Sequence, residues 1–133
     1  MDTKLKYELA QRALKSLEGI LLELKTDPSN EIYRDASIQR FEYTVEAFWK
    51  FLKDFLEERH GLIAKSPRQV LRSMAQVGEI EEGVVEVFLR MIDDRNLTTH
   101  TYIAELASAI SKRLPEYAKR MHDTLGSVYR QQY

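Results

Sequence analysis

Apolar residues in this chain recur at intervals of three and four, which is the spacing of one face of an α-helix and not of a β-strand. In a first predicted helix from about Thr3 to Lys25, this face is formed by Leu5, Leu9, Ala13, Leu17, Ile20, Leu21 and Leu24. Only five Gly and three Pro punctuate the 133 residues. The pattern predicts an all-α chain, and this length suits one ordinary globular domain spanning residues 1–133.

Capping residues and helix breakers divide the rest of the chain into four further predicted helices. The second is expected from about Glu31 to Arg59, the third from Ser66-Pro67 to a stop at Gly78, the fourth from about Glu81 to Asp94, and the fifth from between Thr99 and Tyr102. Asp27, Ser29 and Asn30 are candidate N-caps for the second helix, and Gly61 suits its C-terminal end. Pro115 is expected to kink or restart the fifth helix, because it lacks a backbone N–H.

The second predicted helix carries more aromatic residues than a single core contact requires. Besides its main apolar face, Tyr43, Ala47 and Phe51 form a second line, and Trp49 lies near Leu52 and Leu56. Two interpretations stay open. This helix is central in a bundle, with its aromatics in the core, or Tyr43, Trp49 and Phe51 belong to an interface with a second chain.

The composition restricts the compartment and the partners. Twenty Lys and Arg face 21 Asp and Glu, so no overall field attracts nucleic acid, and an RNA or nucleotide site has to be a local patch. The lack of cysteine and of a long apolar run favours a cytoplasmic protein, without membrane or DNA among its partners. One basic patch, on the third helix, includes Arg68 and Arg72; it could bind phosphate, although a solvated helix face is the commoner explanation.

A polar cluster from Arg95 to Tyr102 separates the fourth and fifth helices. On one unbroken helix, Arg95 and His100 would lie about 140° apart, so they converge only if the chain turns between them. Thr98 and Thr99 can cap the following helix, and Asn96 tolerates the turn. A guanidinium and an imidazole beside free backbone N–H groups could bind a phosphate and transfer protons during cleavage of an RNA phosphodiester bond, without a metal.

Less specific interpretations of this cluster are also open. Arg95 could pair with Asp93, Asp94 or a helix-end carbonyl, and His100 could be hydrogen-bonded locally. Asp93 and Asp94 could instead weaken the hold of Arg95 on phosphate, or form a metal site with His100, although the spacing gives that site little specificity. Tyr102 starts an apolar run, a position at which tyrosine is more often half-buried.

Three blocks in order along the chain resemble one known family. Arg95-x4-His100-x-Tyr102 reproduces the R-x4-H-x-Y signature of the HEPN superfamily, and the flanking sequence resembles its nucleotidyltransferase substrate-binding branch. The resemblance rests on Arg40-Phe41-Glu42-Tyr43-Thr44-Val45-Glu46 with Trp49-Lys50, on Ser66-Pro67-Arg68-Gln69-Val70, and on Asp93 to Tyr102. It implies an antiparallel up-and-down bundle of four to five helices, a homodimer with two motifs near a shared cleft, and a companion minimal nucleotidyltransferase of the DNA polymerase β type.

Two functions are implied by the resemblance. In the first, the chain is a metal-independent endoribonuclease toxin with Arg95 and His100 as the catalytic pair and Asn96 as a helper. Tyr102 then matches the tyrosine that the partner modifies with AMP to silence the toxin. In the second, the chain is a non-catalytic substrate-binding subunit of a two-part nucleotidyltransferase, and Arg95 holds a phosphate. Neither function implies a resident cofactor.

Overall fold

The computed structural model describes residues 2–132 and confirms the all-α prediction. Its helices are α1 (Thr3–Thr26), α2 (Glu31–His60), α3 (Pro67–Gln76), α4 (Glu82–Leu97) and α5 (Ala104–Gln132), and a 3₁₀ turn at Thr98–His100 follows α4. Helices α1 and α2 run antiparallel. Lys6 pairs with Asp54 at 2.7 Å near one end of α1 and α2, and Thr44 donates a hydrogen bond to the Ala13 carbonyl at 3.0 Å nearer the other.

The helix ends show why several boundaries were predictable. Asn30 caps α2 by accepting a hydrogen bond from the Tyr33 N–H at 3.0 Å, which satisfies one of the free N–H groups at a helix start. Ser66 does the same for α3, with Pro67 in the first turn. Gly61 ends α2 in the left-handed region at φ +66°, where a side chain would be strained. These capping residues made the boundaries of α2 and the start of α3 predictable from the sequence.

Helix α5 departs from the prediction at both its start and its middle. It begins at Ala104, because the residues expected to open it form the 3₁₀ turn and a short connection instead. It does not restart at Pro115, which lies within a single helix from Ala104 to Gln132. The missing N–H at Pro115 removes the usual donor for the Ser111 carbonyl, while Leu114 and Tyr117 on either side are buried and secure the helix to the core.

The core is organised around α2, which contacts all four other helices. Phe48 packs on Phe88 of α4 at 5.1 Å between ring centroids, and Phe41 stacks on Tyr117 of α5 at 5.8 Å. Burial of each such ring stabilises the fold by roughly 1.5–3 kcal/mol. The central-helix interpretation of α2 is therefore confirmed. Within residues 2–132, no helix is both long and apolar enough to span a membrane.

The burial of Phe51 corrects one predicted interface residue. Its ring is wholly inaccessible to solvent and packs edge-on against Tyr7 at 5.3 Å. A side chain enclosed in its own core offers no surface to a second protein, so the interface prediction is wrong for Phe51. Helical spacing alone could not distinguish it from Tyr43, because α1 covers one side of α2 more completely than the sequence reveals.

Candidate active site at the junction of α4 and α5

The chain turns at the end of α4 because threonine hydroxyls bind carbonyls that the helix leaves free. Thr98 donates a hydrogen bond through its Oγ1 to the Arg95 carbonyl at 2.7 Å, and Thr101 donates to the Thr98 carbonyl at 2.9 Å. The predicted turn between Arg95 and His100 is thus present. The role given to Thr98 is corrected, since its hydroxyl closes the preceding helix and does not cap the following one.

Arg95 lies in the last turn of α4 and faces α2. Its Nη1 is 4.0 Å from Glu42 Oε2 and its Nη2 is 3.7 Å from Glu46 Oε1, so both contacts are ion pairs longer than a normal hydrogen bond. The side chain is 26% exposed, yet its Nε is buried without a hydrogen-bond partner. Arg95 therefore keeps unused donor capacity while its orientation is biased by two carboxylates.

Glu42 and Glu46 were not predicted as site residues. They are four residues apart and therefore lie on one face of α2, and both belong to the sequence block that carries the family resemblance. That shared face was the available signal. What the sequence lacked was the packing of α2 against the end of α4, which brings this face to Arg95.

His100 and Tyr102 present their rings to solvent on the connection to α5. The ring centroids are 6.1 Å apart in an edge-to-face arrangement. Tyr102 is 81% exposed, which corrects the expectation of a half-buried tyrosine at the start of an apolar run. The His100 carbonyl accepts a hydrogen bond from the Ile103 N–H at 3.0 Å. Its imidazole has no hydrogen-bond or ion-pair partner within residues 2–132, so local hydrogen bonding of the ring is not supported. Asn96 is exposed on the last turn of α4.

The structure also shows that Asp93 and Asp94 do not hold Arg95. Asp93 pairs with Arg68 of α3, so this predicted phosphate-binding cation already has a carboxylate partner. Arg72 is exposed on the same helix. Residues 2–132 contain no group of three or more metal-binding side chains, and a metal site of Asp93, Asp94 and His100 is not formed.

Asp94 is instead the centre of a buried polar network that ties α4 to α5. Arg113 donates two hydrogen bonds to its carboxylate, from Nε at 2.7 Å and from Nη2 at 2.8 Å, and the Tyr117 hydroxyl donates a third at 2.5 Å. Arg90 in turn donates from Nε to the Tyr117 oxygen at 3.1 Å. This network fixes the last turn of α4, and therefore the backbone from which Arg95 and the 3₁₀ turn project.

The network shifts the pKa of its members in the direction expected from burial and hydrogen bonding. Burial raises the pKa of Tyr117 to about 12, and its hydrogen bond to Asp94 adds to that increase. The hydrogen bonds from Arg113 to Asp94 raise the pKa of that guanidinium, and the Tyr117 hydroxyl does the same for Arg90. At neutral pH the network therefore holds its arginines charged and its tyrosine protonated.

Two predicted interface residues remain on or near the surface. Tyr43 is 44% exposed, and its hydroxyl shares a hydrogen bond of 2.7 Å with Ser16 of α1. Trp49 is half-buried against the core, and its Nε1 is buried without a hydrogen-bond partner. Trp49 also lies on the α2 face of Glu42 and Glu46. Participation of Tyr43 and Trp49 in an interface stays a prediction.

One protein family matches nearly the whole chain. The sequence profile of the family described as "nucleotidyltransferase substrate binding protein like" matches residues 5–129. The chain belongs to this family. A search of curated protein sequences finds no significant match.

Several solved structures share the fold of this chain. A protein from Thermus thermophilus is 44% identical, with 90% of this chain and 98% of that chain covered and a TM-score of 0.85. A tri-AMPylated HEPN toxin of Shewanella oneidensis, solved with its MNT antitoxin, is 14% identical over 98% of this chain and 99% of that chain, with a TM-score of 0.74. A Haemophilus influenzae protein, described as the substrate-binding domain of a nucleotidyltransferase, is 21% identical over 92% and 98%, with a TM-score of 0.74. At these low identities the last two establish a shared HEPN fold.

Proposed function

We propose that this family member is a metal-independent endoribonuclease toxin that works with, and is silenced by, a minimal nucleotidyltransferase. The observation that carries the proposal is the exposed His100, free of competing partners and beside Tyr102, on the turn that follows Arg95. Such an imidazole can accept or donate a proton and is accessible to a large substrate. The guanidinium supplies the charge that a phosphate requires.

In the proposed reaction, His100 acts on the ribose beside the scissile phosphate. As a neutral imidazole it removes the proton from the 2′-hydroxyl, whose oxygen attacks phosphorus while the bond to the 5′-oxygen breaks. The products are a 2′,3′-cyclic phosphate and a 5′-hydroxyl, so no water is consumed. Arg95 stabilises the additional negative charge on the phosphoryl oxygens, and Asn96 helps to bind the RNA backbone. In a homodimer, the second copy of the motif can protonate the leaving 5′-oxygen.

Control by the partner is proposed to act through Tyr102. Its hydroxyl is well exposed, and a nucleotidyltransferase can transfer AMP from ATP to that oxygen with release of pyrophosphate. The transferred phosphate adds negative charge close to His100, whose ring lies 6.1 Å from that of Tyr102, and so repels and sterically blocks RNA. The AMPylated state of the Shewanella toxin supports this mode of control.

A second candidate function is a non-catalytic substrate-binding subunit of the nucleotidyltransferase. The pairing of Arg95 with two carboxylates favours it, because Glu42 and Glu46 offset the positive charge that stabilisation of the transition state would require. The description of the Haemophilus protein points in the same direction. In this case Arg95 binds a substrate phosphate and His100 contributes no proton transfer.

RNA cleavage in the presence of a chelator separates the two functions. The wild-type chain should cut labelled RNA in EDTA to fragments with cyclic phosphate ends, and His100→Ala should reduce the rate roughly 100-fold to 10,000-fold. His122→Ala is the matched control, because His122 is also exposed but pairs with Glu18 at 3.2 Å, on the α1–α5 side of the bundle. Cleavage that persists at the wild-type rate in His100→Ala would contradict the toxin function.

Co-expression with the nucleotidyltransferase tests the control step. Intact-mass measurement should show additions of AMP on the wild-type chain that are absent from Tyr102→Phe. Tyr43→Phe serves as the control, since it removes another partly exposed tyrosine hydroxyl at a distance from the motif along the chain. An unmodified wild-type chain, together with inert RNA, would favour the substrate-binding function.

A further inference from the structure

A long groove lies between α1 and α5, separate from the residues of the R-x4-H-x-Y motif. It has a volume of about 1070 Å³, and the connection between α1 and α2 closes one end. The residues along its α5 wall, from Ser108 to His122, recur at the intervals of three and four that are typical of one helix face. They therefore form one continuous helix face of about 21 Å in length. None of Arg95, His100 and Tyr102 lines it.

The floor of the groove is apolar and open to solvent. Leu21 and Leu24 line it from α1, Ala118 lines it from α5, and Leu22 at its edge is 68% exposed. Ser108 lines the groove from α5, and its small side chain leaves room for another backbone to approach. An open groove with an apolar floor is the kind of surface that receives the apolar face of a partner helix.

The rim of the groove is basic, although the whole chain has a net charge of −1. Four cations line it, namely Lys25, Arg34, Lys112 and Lys119, and so do two carboxylates, Glu18 and Glu31. Arg34 is paired with Asp35 at 3.1 Å and Lys119 with Asp123 at 3.4 Å. Within residues 2–132, Lys25 and Lys112 have no ion-pair partner, so they are the rim cations most available to a ligand. Glu18 is bound to His122 at 3.2 Å, which reduces its effect on a ligand. The α5 side of the rim contributes no carboxylate among the lining residues.

We propose that this groove binds an amphipathic helix with acidic flanks, supplied by a partner protein. Its volume of about 1070 Å³ lies at the upper end of small-molecule pockets, and its length matches a helix of about 14 residues. The apolar face of that helix packs on Leu21, Leu24 and Ala118. Its acidic side chains lie against Lys25 and Lys112, one on each wall, in the helix-in-groove mode of recognition. The proposal is independent of ribonuclease activity.

Binding of two designed peptides to the full chain tests the proposal. Both are labelled synthetic helices with the same leucine face, flanked in one case by glutamates and in the other by lysines, and fluorescence anisotropy measures their affinity. The acidic peptide should bind the wild-type chain about tenfold more tightly than the basic one, and added salt should reduce that difference. Reversal of the rim charge in a Lys25→Glu and Lys112→Glu double variant should invert the preference.

The control carries the same change in net charge at positions away from the groove. Lys4 and Lys65 are exposed and do not line it, so a Lys4→Glu and Lys65→Glu double variant should keep the wild-type preference. Circular dichroism verifies that both double variants are folded. Equal affinity for the two peptides, or an equal response of both variants, would overturn the proposal. A dimer that Leu22→Glu converts to a monomer in sedimentation would also overturn it, because a second copy would then occupy the groove.

Discussion

Asp94 and Arg95 are adjacent in the sequence, but they differ in burial and in the number of hydrogen bonds that their side chains make. Asp94 is buried and accepts three hydrogen bonds of 2.5 to 2.8 Å from α5. Arg95 is partly exposed, and its nearest carboxylates are 3.7 and 4.0 Å away. A buried carboxylate without such partners would be strongly destabilising. Asp94 is therefore a structural residue, whereas Arg95 retains the capacity to bind another anion.

The difference shows how a small helical bundle can support a reactive site. The last turn of α4 has to be fixed, or the groups that project from it would have no defined geometry. The Asp94 network supplies that rigidity from the inner side of the helix. On the outer side, Arg95, His100 and Tyr102 remain accessible because no strong internal contact occupies them. Substitutions on the two sides should consequently separate stability from activity.

The largest expected effect on stability comes from Asp94→Ala. The substitution leaves Arg113 and the Tyr117 hydroxyl without their shared acceptor, and the free energy of unfolding should fall by about 3 kcal/mol. This value is at the low end for a buried pair, because Arg113 is partly exposed and can turn to water. Urea denaturation followed by circular dichroism measures it. Asp93→Ala is the matched control and should change stability by less than about 0.5 kcal/mol; equal losses would remove the distinction between the two residues.

Arg95→Met, in contrast, should reduce RNA cleavage strongly and change stability little. It removes the charge that the proposed reaction needs, so RNA cleavage should fall roughly 100-fold. The two carboxylates left behind are partly solvated, and the free energy of unfolding should change by less than about 1 kcal/mol. Rates are measured in EDTA, and stability by urea denaturation. Arg59→Met, at an exposed position, is the control for the loss of a cation. A loss of stability as large as that of Asp94→Ala would mean that Arg95 is also structural.

The local parts of this fold could be predicted from sequence, because caps and turns depend on residues a few positions apart. Asn30, Ser66 and Gly61 act as short-range rules require. The all-α class follows from the spacing of apolar residues for the same reason. Pro115 shows the limit of such rules, since packing of the flanking residues keeps α5 continuous where a proline predicts a break.

The candidate site was predictable only in part. The R-x4-H-x-Y pattern identified Arg95, His100 and Tyr102, and the turn between the first two was expected from the threonines. The partners of Arg95 and the burial of Asp94 depend on contacts between distant helices, which spacing along the chain does not determine. The exposure of Tyr102 has the same origin, because α5 begins after it and the core does not extend to its ring.

The Asp94 network should also produce a dependence of stability on alkaline pH. The pKa of Tyr117 is raised to about 12 in the folded protein, chiefly by burial, above an unfolded value of about 10. Stability from its neutral hydroxyl is therefore fully present below pH 10 and is lost as the pH rises toward 12. Tyr117→Phe should lower the free energy of unfolding by about 1 kcal/mol at pH 7 and reduce its decline above pH 10.

The difference between wild type and variant isolates this effect, because Tyr7 also has a pKa raised by burial. Urea titrations at several pH values between 8 and 12 provide the measurement. Tyr43→Phe is the control, since the Tyr43 hydroxyl is on the surface and bound to Ser16. Parallel pH profiles for wild type and Tyr117→Phe would show that Tyr117 does not titrate as part of the network.

The smallest expected effect concerns the ion pair between Asp93 and Arg68, which lies on the outer side of α4. Both side chains are about half-exposed, so Arg68→Gln should change the free energy of unfolding by less than about 0.5 kcal/mol. Because the carboxylate already neutralises this guanidinium, RNA binding should also weaken less in Arg68→Gln than in Arg72→Gln, where the cation is exposed on the same helix. Each substitution is combined with His100→Ala, so that the RNA should not be cut, and filter binding measures the RNA affinity of the two double variants. A greater loss of affinity for Arg68→Gln would mean that the RNA phosphate displaces Asp93 from Arg68. The Arg68 guanidinium would then be available to an anion, as that of Arg95 is, and not committed to its internal partner, as the Asp94 carboxylate is.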